Sequence, residues 1–183
     1  VSHAGEINLL QWYNRQLAIS ESDRVLLASA FSFDLTQKNL FAPLTCGATL
    51  VIPEMDDYDP GVIAKTLAND QVTIVNCAPS AFYPVIENIA TLGYPFPSLR
   101  HLVLGGEPVN LEGLSAWLDH GDCRCTLTNS YGPTECTDVV ASWTLENTGP
   151  QYGVTPLGKP IDNTQLYITA LDLFFEDPIL GRG

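Results

Sequence analysis

Basic residues are scarce in this sequence: 8 Lys and Arg stand against 21 Asp and Glu, a formal net charge of −13 over 183 residues. A protein that tracks a phosphate backbone needs a cationic face to displace counterions, so nucleic-acid binding is disfavoured, as is attraction to an anionic membrane surface. Long hydrophobic runs are missing too, with nothing near the roughly 18 to 20 apolar residues of a membrane span. The opening stretch Val1 to Glu6 lacks both an initiator Met and the basic-then-apolar order of a signal peptide, and reads as part of a longer chain. Disorder is excluded by the other side of the composition, 45% hydrophobic against 16% charged. The length suffices for a substantial core and one domain, or most of one.

Metal-type and disulfide-type spacings are also lacking. The cysteines are odd in number (Cys46, Cys77, Cys123, Cys125, Cys136), and Cys123-Arg124-Cys125 is too tight for a zinc knuckle. Reduced thiols in a cytoplasmic protein are the expectation. His3, His101 and His120 are scattered. The acidic run Glu54 to Asp59 has no Gly at the sixth place and no Glu closing a calcium loop. Trp12, Trp117 and Trp143 read as packing residues.

What is present is an alternation of helical and extended segments. The pattern predicts helices over Glu6–Leu17 (apolar at Ile7, Leu10, Trp12, Tyr13 and Leu17), Leu35–Leu44 with Gly47 as its stop, Asp59-Pro60 to Asn69, Ser80–Leu92 with Pro84 in the first turn, and Asn110–Leu118. Between them it predicts strands over Arg24–Ala28, Ala48–Ile52, Val72–Asn76, Leu102–Leu104 and Thr126–Asn129. Short strands separated by helices imply an α/β protein with a mostly parallel sheet flanked by helices. Ligands of such sheets sit outside the carboxyl ends of the strands, which directs attention to Phe33-Asp34, Asn76-Cys77, Gly105-Gly106-Glu107 and Ser130 to Glu135.

Of these, Asn129-Ser130-Tyr131-Gly132-Pro133-Thr134-Glu135 carries the most chemistry. Thr134 offers a hydroxyl for a phosphate oxygen, and Glu135 a hard oxygen suited to Mg²⁺ beside it. Tyr131 offers a flat face for a purine, and Asn129 an amide for a base edge. The residues alone equally allow a strand-to-helix turn whose Thr and Glu cap the next helix. Asp34, likewise, could cap a helix.

Four strings taken in order favour the first reading. The N-x-Y-G-P-T-E core, Phe31-Ser32-Phe33-Asp34-Leu35-Thr36, Leu102 to Glu107, and Leu157-Gly158-Lys159-Pro160-Ile161-Asp162-Asn163-Thr164 together resemble the adenylation domains of nonribosomal peptide synthetases. Those domains belong to the adenylate-forming superfamily, with acyl-CoA synthetases and luciferases. The resemblance implies a flavodoxin-like, amino-acid-binding subdomain over residues 1–168, followed by an atypical segment, 169–183, that carries no assigned function.

It further implies that Tyr131 stacks on the adenine of ATP or AMP and that Asn129 bonds its exocyclic amine, with Gly105, Gly106, Glu107 and Gly132 around the nucleotide. Thr134 would meet the α-phosphate and Glu135 would help to hold Mg²⁺. Asp34 would pair with the α-ammonium of an amino acid, a group that acyl-CoA synthetases have no need to recognise. Family spacing lines the side-chain pocket with Leu35, Lys38, Asn76, Val103, Gly105, Ser130, Asp138 and Val139. Lys38 could receive a carboxylate or amide and Asp138 a cation, or the two could pair with each other; a polar or charged amino acid is expected. The partners implied are the rest of the adenylation domain and a carrier domain bearing phosphopantetheine. The family's phosphate loop, ribose-binding Asp and C-terminal catalytic Lys have no counterpart here, so the 183 residues alone are expected not to complete adenylate formation. An acyl- or aryl-CoA ligase and a non-catalytic binding subdomain are the alternatives.

Overall fold

A computed structural model describes residues 1–92, 96–120, 123–145 and 155–168. The segment 169–183, set apart on sequence, lies outside the described residues. Two helices open the chain around the first strand: α1 (His3–Gln16), β1 (Arg24–Leu26) and α2 (Thr36–Cys46). There follow β2 (Thr49–Val51), α3 (Pro60–Asn69), β3 (Ile74–Cys77), α4 (Pro79–Leu92), β4 (His101–Gly105), α5 (Glu112–Leu118) and β5 (Thr126–Tyr131). A 3-10 turn at Thr134–Cys136 precedes two further strands, β6 (Ala141–Thr144) and β7 (Lys159–Pro160).

The strand order is β2-β1-β3-β4-β5-β6-β7. The first five strands are parallel, and β6 and β7 add antiparallel. The order 2-1-3-4-5 is that of flavodoxin-like sheets, whose switch point lies between β1 and β3. Asp34 follows β1 and Asn76 sits within β3, so both lie at this switch point.

Period-two alternation divides the sheet's side chains into two cores. Leu26, Val51, Val75, Leu102, Leu104 and Leu127 pack with Ile63 and Leu67 of α3, Phe82 of α4 and Trp117 of α5. Val25, Ile74 and Val103 pack on the opposite side with Leu9, Trp12 and Tyr13 of α1 and Ala42 of α2. Local signals set the helix ends. Asp59 Oδ1 accepts from the Gly61 and Val62 amides at 2.7 and 3.2 Å, with Pro60 in the first turn, and Gly47 ends α2 at φ 71°. Asn110 Oδ1 accepts from the Glu112 amide at 3.0 Å.

Three expectations are corrected. Of the expected apolar positions of α1, Trp12, Tyr13 and Leu17 are buried and Leu10 packs on the core, but Ile7 is 54% exposed and Leu9 is the buried residue of that turn, in line with Glu6 and Tyr13. Pro84 lies inside α4, because Pro79 already occupies the first turn. Strand β5 runs on to Tyr131, because β6 pairs Asn129 with Trp143, Ser130 with Ser142 and Tyr131 with Ala141. That partner is remote in sequence and leaves no mark on the local pattern.

Arg100 clamps the loop after α1 to the sheet: Nε and Nη2 reach the Asp23 carboxylate at 2.7 and 2.8 Å, and Nη1 donates to Leu17 O at 2.7 Å. Burial would raise the Asp23 pKa, but the bonds from Arg100, the Ser20 amide and Thr73 outweigh it and hold it at about 2. His101 next door is pushed down to about 4, by burial first and then by Arg100. Both folded pKa values lie below their unfolded ones, so both groups favour folding at high pH and lose that contribution in acid. Stability therefore falls in two steps, from pH 6.5 towards 4 as His101 takes up a proton in the unfolded chain, and below pH 4 towards 2 for Asp23. After discounting for the partial exposure of the ring, the first step is about 2 kcal/mol. His101→Gln should flatten the urea-unfolding free energy between pH 6.5 and 4 and leave the lower step in place.

Candidate functional site

Alternation along β5 is what builds the site. Asn129 and Tyr131 share the parity of Leu127, whose side chain lies in the core with α3, α4 and α5, whereas Ser130 shares that of Thr128, which pairs with Val103 in register. Three consecutive residues of one motif thus serve opposite sides of the sheet.

On the first side, a cavity of about 710 Å³ opens at the carboxyl ends of β4 and β5. Gly106, Glu107, Asn129, Ser130, Tyr131 and Gly132 line it, and the segment Pro108 to Glu112 with Thr155 and Leu157 completes the wall. Tyr131 is 47% exposed, leaving its ring free to stack on a flat ligand. Asn129 Nδ2 donates one of its two hydrogens to Pro156 O at 2.8 Å, which orients the amide and leaves its Oδ1 able to accept. Glu107 accepts from the Ser80 amide at 3.1 Å and from Ser80 Oγ at 2.8 Å, tying the cavity wall to the start of α4. Thr155 Oγ1 donates to Val109 O at 2.7 Å and holds the opposite wall.

Gly106 stands at φ +83° with no atom within 4 Å of where a Cβ would project, so the backbone itself fronts open space. Gly132 is required for a different reason: a Cβ there would collide with the Asp138 carbonyl and come within 2.8 Å of Val139 Cα. Gly132→Ala should therefore force the 132–139 loop outward, at a cost of about 2 kcal/mol or more. A melting temperature unchanged from wild type would contradict this packing.

Thr134 and Glu135 are exposed on the single 3-10 turn, whose cap, Pro133, makes no side-chain bond. Neither residue caps a following helix, which removes the alternative that the residues alone left open. Asp34 is not a helix cap either. Its Oδ1 accepts from the Leu35 amide at 2.8 Å, and α2 starts at Thr36 with no side-chain cap bond.

On the second side, beneath α1 and α2, Leu35, Lys38, Asn76, Val103, Ser130, Asp138 and Val139 are all buried, and Gly105 with them. Lys38 Nζ is bonded to Asp138 Oδ2, so the pairing raised as one possibility is the arrangement present. Burial pushes the Asp138 pKa up and the neighbouring Asp34 adds to this, against the pull of Lys38. Asn76 Nδ2 donates to Leu35 O at 3.1 Å and to Asn39 Oδ1 at 3.0 Å, while Asn39 Nδ2 donates to Asn76 O at 2.8 Å. Val103 and Val139 pack into the apolar cluster with Leu9 and Tyr13. Asp138 and the preceding Thr137 both have φ +67°, a conformation costly for non-glycine residues and common where a loop is held for a purpose.

Sequence reasoning missed Ser80, Asn39, Tyr13 and Glu6. Only Glu6 left a signal, as an acid three residues before Leu9 on the buried stripe of α1. The five cysteines carry free thiols, and burial raises Cys77 to about 12. Among the described residues no helix is long and apolar enough to cross a membrane.

A twisted, mostly parallel sheet with a nucleotide-sized cavity at its carboxyl edge defines a class. The chain belongs to the AMP-binding enzyme family, whose profile matches residues 1–172. Similar proteins include nonribosomal peptide synthetases. Malpibaldin synthetase of Mortierella alpina is 36% identical over 169 residues, covering 92% of this chain and 3% of that protein. Tyrocidine synthase 3 of Brevibacillus parabrevis is 32% identical over the same share of this chain and 2% of its own. The chain thus spans a small fraction of these relatives. Among solved structures, the nonribosomal peptide synthetase FmoA3 bound to alpha-methyl-L-serine-AMP superposes with a TM-score of 0.85 at 30% identity, over 94% of this chain and 20% of that one.

Proposed function

We propose that this chain is the amino-acid- and nucleotide-binding part of an adenylation domain in a nonribosomal peptide synthetase, over residues 1–168. In the complete domain the amino-acid carboxylate attacks the α-phosphate of ATP, the bond to the β-phosphate oxygen breaks, and aminoacyl-AMP and pyrophosphate form. The acyl group then passes to the phosphopantetheine thiol of a carrier domain. The observation that carries this reading is the pair of sites on opposite sides of β5, with Ser130 between them.

Tyr131 stacks on adenine, and the acceptor oxygen of Asn129 takes the exocyclic amine. Gly105, Gly106, Glu107 and Gly132 surround the nucleotide, and Thr134 contacts the α-phosphate. Asp34 anchors the α-ammonium, which sets the carboxylate in line for attack. Leu35, Lys38, Asn76, Val103, Gly105, Ser130, Asp138 and Val139 bound the side-chain pocket and favour a polar or charged amino acid.

Among the described residues no cluster of three or more His, Cys, Asp or Glu could hold a metal alone. Glu135 is a single exposed carboxylate, which fits Mg²⁺ shared with ATP phosphates and water. Bound there, the ion neutralises phosphate charge. Cations are otherwise short, since no Lys or Arg is among the residues lining the cavity and Glu107 and Glu112 are. For that reason the 183 residues alone give no ATP–pyrophosphate exchange, and a further cation must come from the rest of the domain.

The test places residues 1–168 as the central segment of a complete adenylation domain and measures amino-acid-dependent ATP–pyrophosphate exchange over a panel of amino acids. Exchange supports the reading. A frame that works with its own central segment but gives none with this one overturns it and favours a non-catalytic binding subdomain.

A further inference from the structure

Seven buried side-chain polar atoms lack a hydrogen-bond partner among the described residues, and four of them belong to Glu6, Tyr13 and Asn76. Both Glu6 carboxylate oxygens, Asn76 Oδ1 and the Tyr13 hydroxyl are buried without a hydrogen-bond partner. Asn76 and Tyr13 are 0% and 1% exposed. Buried polar atoms are normally paired, and each orphan in a folded protein calls for an explanation such as a missing ligand.

Glu6 and Tyr13 lie on α1, and Asn76 lies on the sheet face that packs against it. Glu6, Leu9 and Tyr13 fall at i, i+3 and i+7 of α1, one face of the helix, which is its buried face. The Lys38 ammonium lies 6.0 Å from the Tyr13 ring centroid and bonds Asp138. The start of α1 rests on the same loop: a Cβ on Gly5 would come within 2.8 Å of Thr137 Oγ1, next to Asp138. Asn76 shares its sheet side with Ile74 and pairs in register with Val103, both neighbours of Leu9 and Tyr13 in one cluster.

Charge decides what can enter. Asp34 is reserved for the α-ammonium, Asp138 is matched by Lys38, and Glu6 remains. Glu6 is partly buried; burial raises its pKa, Asp138 raises it further and Lys38 opposes both, so it lies within electrostatic reach of that ion pair. An acidic side chain would face two carboxylates and the Asn76 oxygen, with Lys38 occupied. An apolar one would leave those four atoms without a partner.

We propose, on the basis of the amino-acid-activating reading above, that the pocket takes an amino acid whose side chain carries a second ammonium group, and that Glu6 is the residue that receives it. The Asn76 oxygen and the Tyr13 hydroxyl complete the acceptor set around that ammonium. Glu6 lies on α1, outside the pocket residues that motif spacing identifies.

The test uses the same complete adenylation domain and compares kcat/KM for exchange with lysine, ornithine and 2,4-diaminobutyrate against norleucine and glutamate. At least one diamino acid should exceed norleucine tenfold or more, and glutamate should be poorest. Glu6→Gln should reduce that diamino-acid-to-norleucine ratio by tenfold or more, and Glu6→Asp should retain part of it. If norleucine or glutamate is the better substrate, the inference fails while amino-acid activation stands. A ratio unchanged in a folded Glu6→Gln variant also overturns it. Should that variant not fold, the wild-type profile alone decides. Absence of exchange with every amino acid, in a frame active with its own segment, removes both readings together.

Discussion

Asp34→Asn, made in a complete adenylation domain carrying residues 1–168, lowers kcat/KM for amino-acid-dependent exchange by about a hundredfold or more. The carboxylate is half-buried and oriented by the Leu35 amide at 2.8 Å, so its remaining oxygen is pre-aimed where the chain leaves β1. An ammonium bound there makes a charge-assisted bond in a partly dry site. Truncating one partner of such a pair costs about 2 to 5 kcal/mol, and each 1.4 is about tenfold. The loss should appear mainly in KM for the amino acid, with KM for ATP little changed, because the cavity proposed for the nucleotide lies on the other side of β5. Activity equal to wild type would instead favour a ligase for acids that carry no ammonium.

Asp138→Asn is expected to destabilise the domain by about 3 to 5 kcal/mol, the range for leaving one member of a buried ion pair unmatched. Lys38 has no exposed side-chain surface and Asp138 is 10% exposed, so water cannot stand in for the lost partner. Replacing both, as Lys38→Met with Asp138→Leu, should recover most of the loss, since volume is kept and no charge is stranded. Urea unfolding of the two single variants and the double measures this as a coupling energy. Strict additivity would mean that the two side chains do not interact and would remove the pairing on which the pocket's charge balance rests.

The layered architecture was legible because short apolar strands alternate with capped helices, and such signals are local. Asp59-Pro60 and Gly47 marked helix ends where the structure has them. The antiparallel strands β6 and β7 were not legible, since their reason for existing is the edge of β5 and not their own pattern. That omission hid how Asn129, Ser130 and Tyr131 divide between two sides: as a loop they have no alternation, as a strand they must. Of the residues expected around the nucleotide, Gly106, Glu107, Asn129, Tyr131 and Gly132 line one cavity, whereas Gly105, Thr134 and Glu135 are not among its lining residues. On the other side the individual residues were named but not their state. Whether Lys38 and Asp138 bond each other or a ligand depends on packing depth, which a sequence does not carry. Glu6 was passed over because Leu9 was not counted among the apolar positions of α1; the alignment of Glu6 with Leu9 and Tyr13 shows only once Leu9 is seen to be buried and Ile7 exposed.

Whether β5 divides the site between nucleotide and amino-acid side chain is decided by a crystal structure of the complete domain with a non-hydrolysable aminoacyl-adenylate analogue. Adenine is expected against Tyr131 and Asn129 in the 710 Å³ cavity, the α-ammonium on Asp34, and the side chain beneath α1 and α2 beside Lys38 and Asp138. An adenine bound outside that cavity, or an amino-acid side chain lying on the same side of β5 as the base, would contradict it.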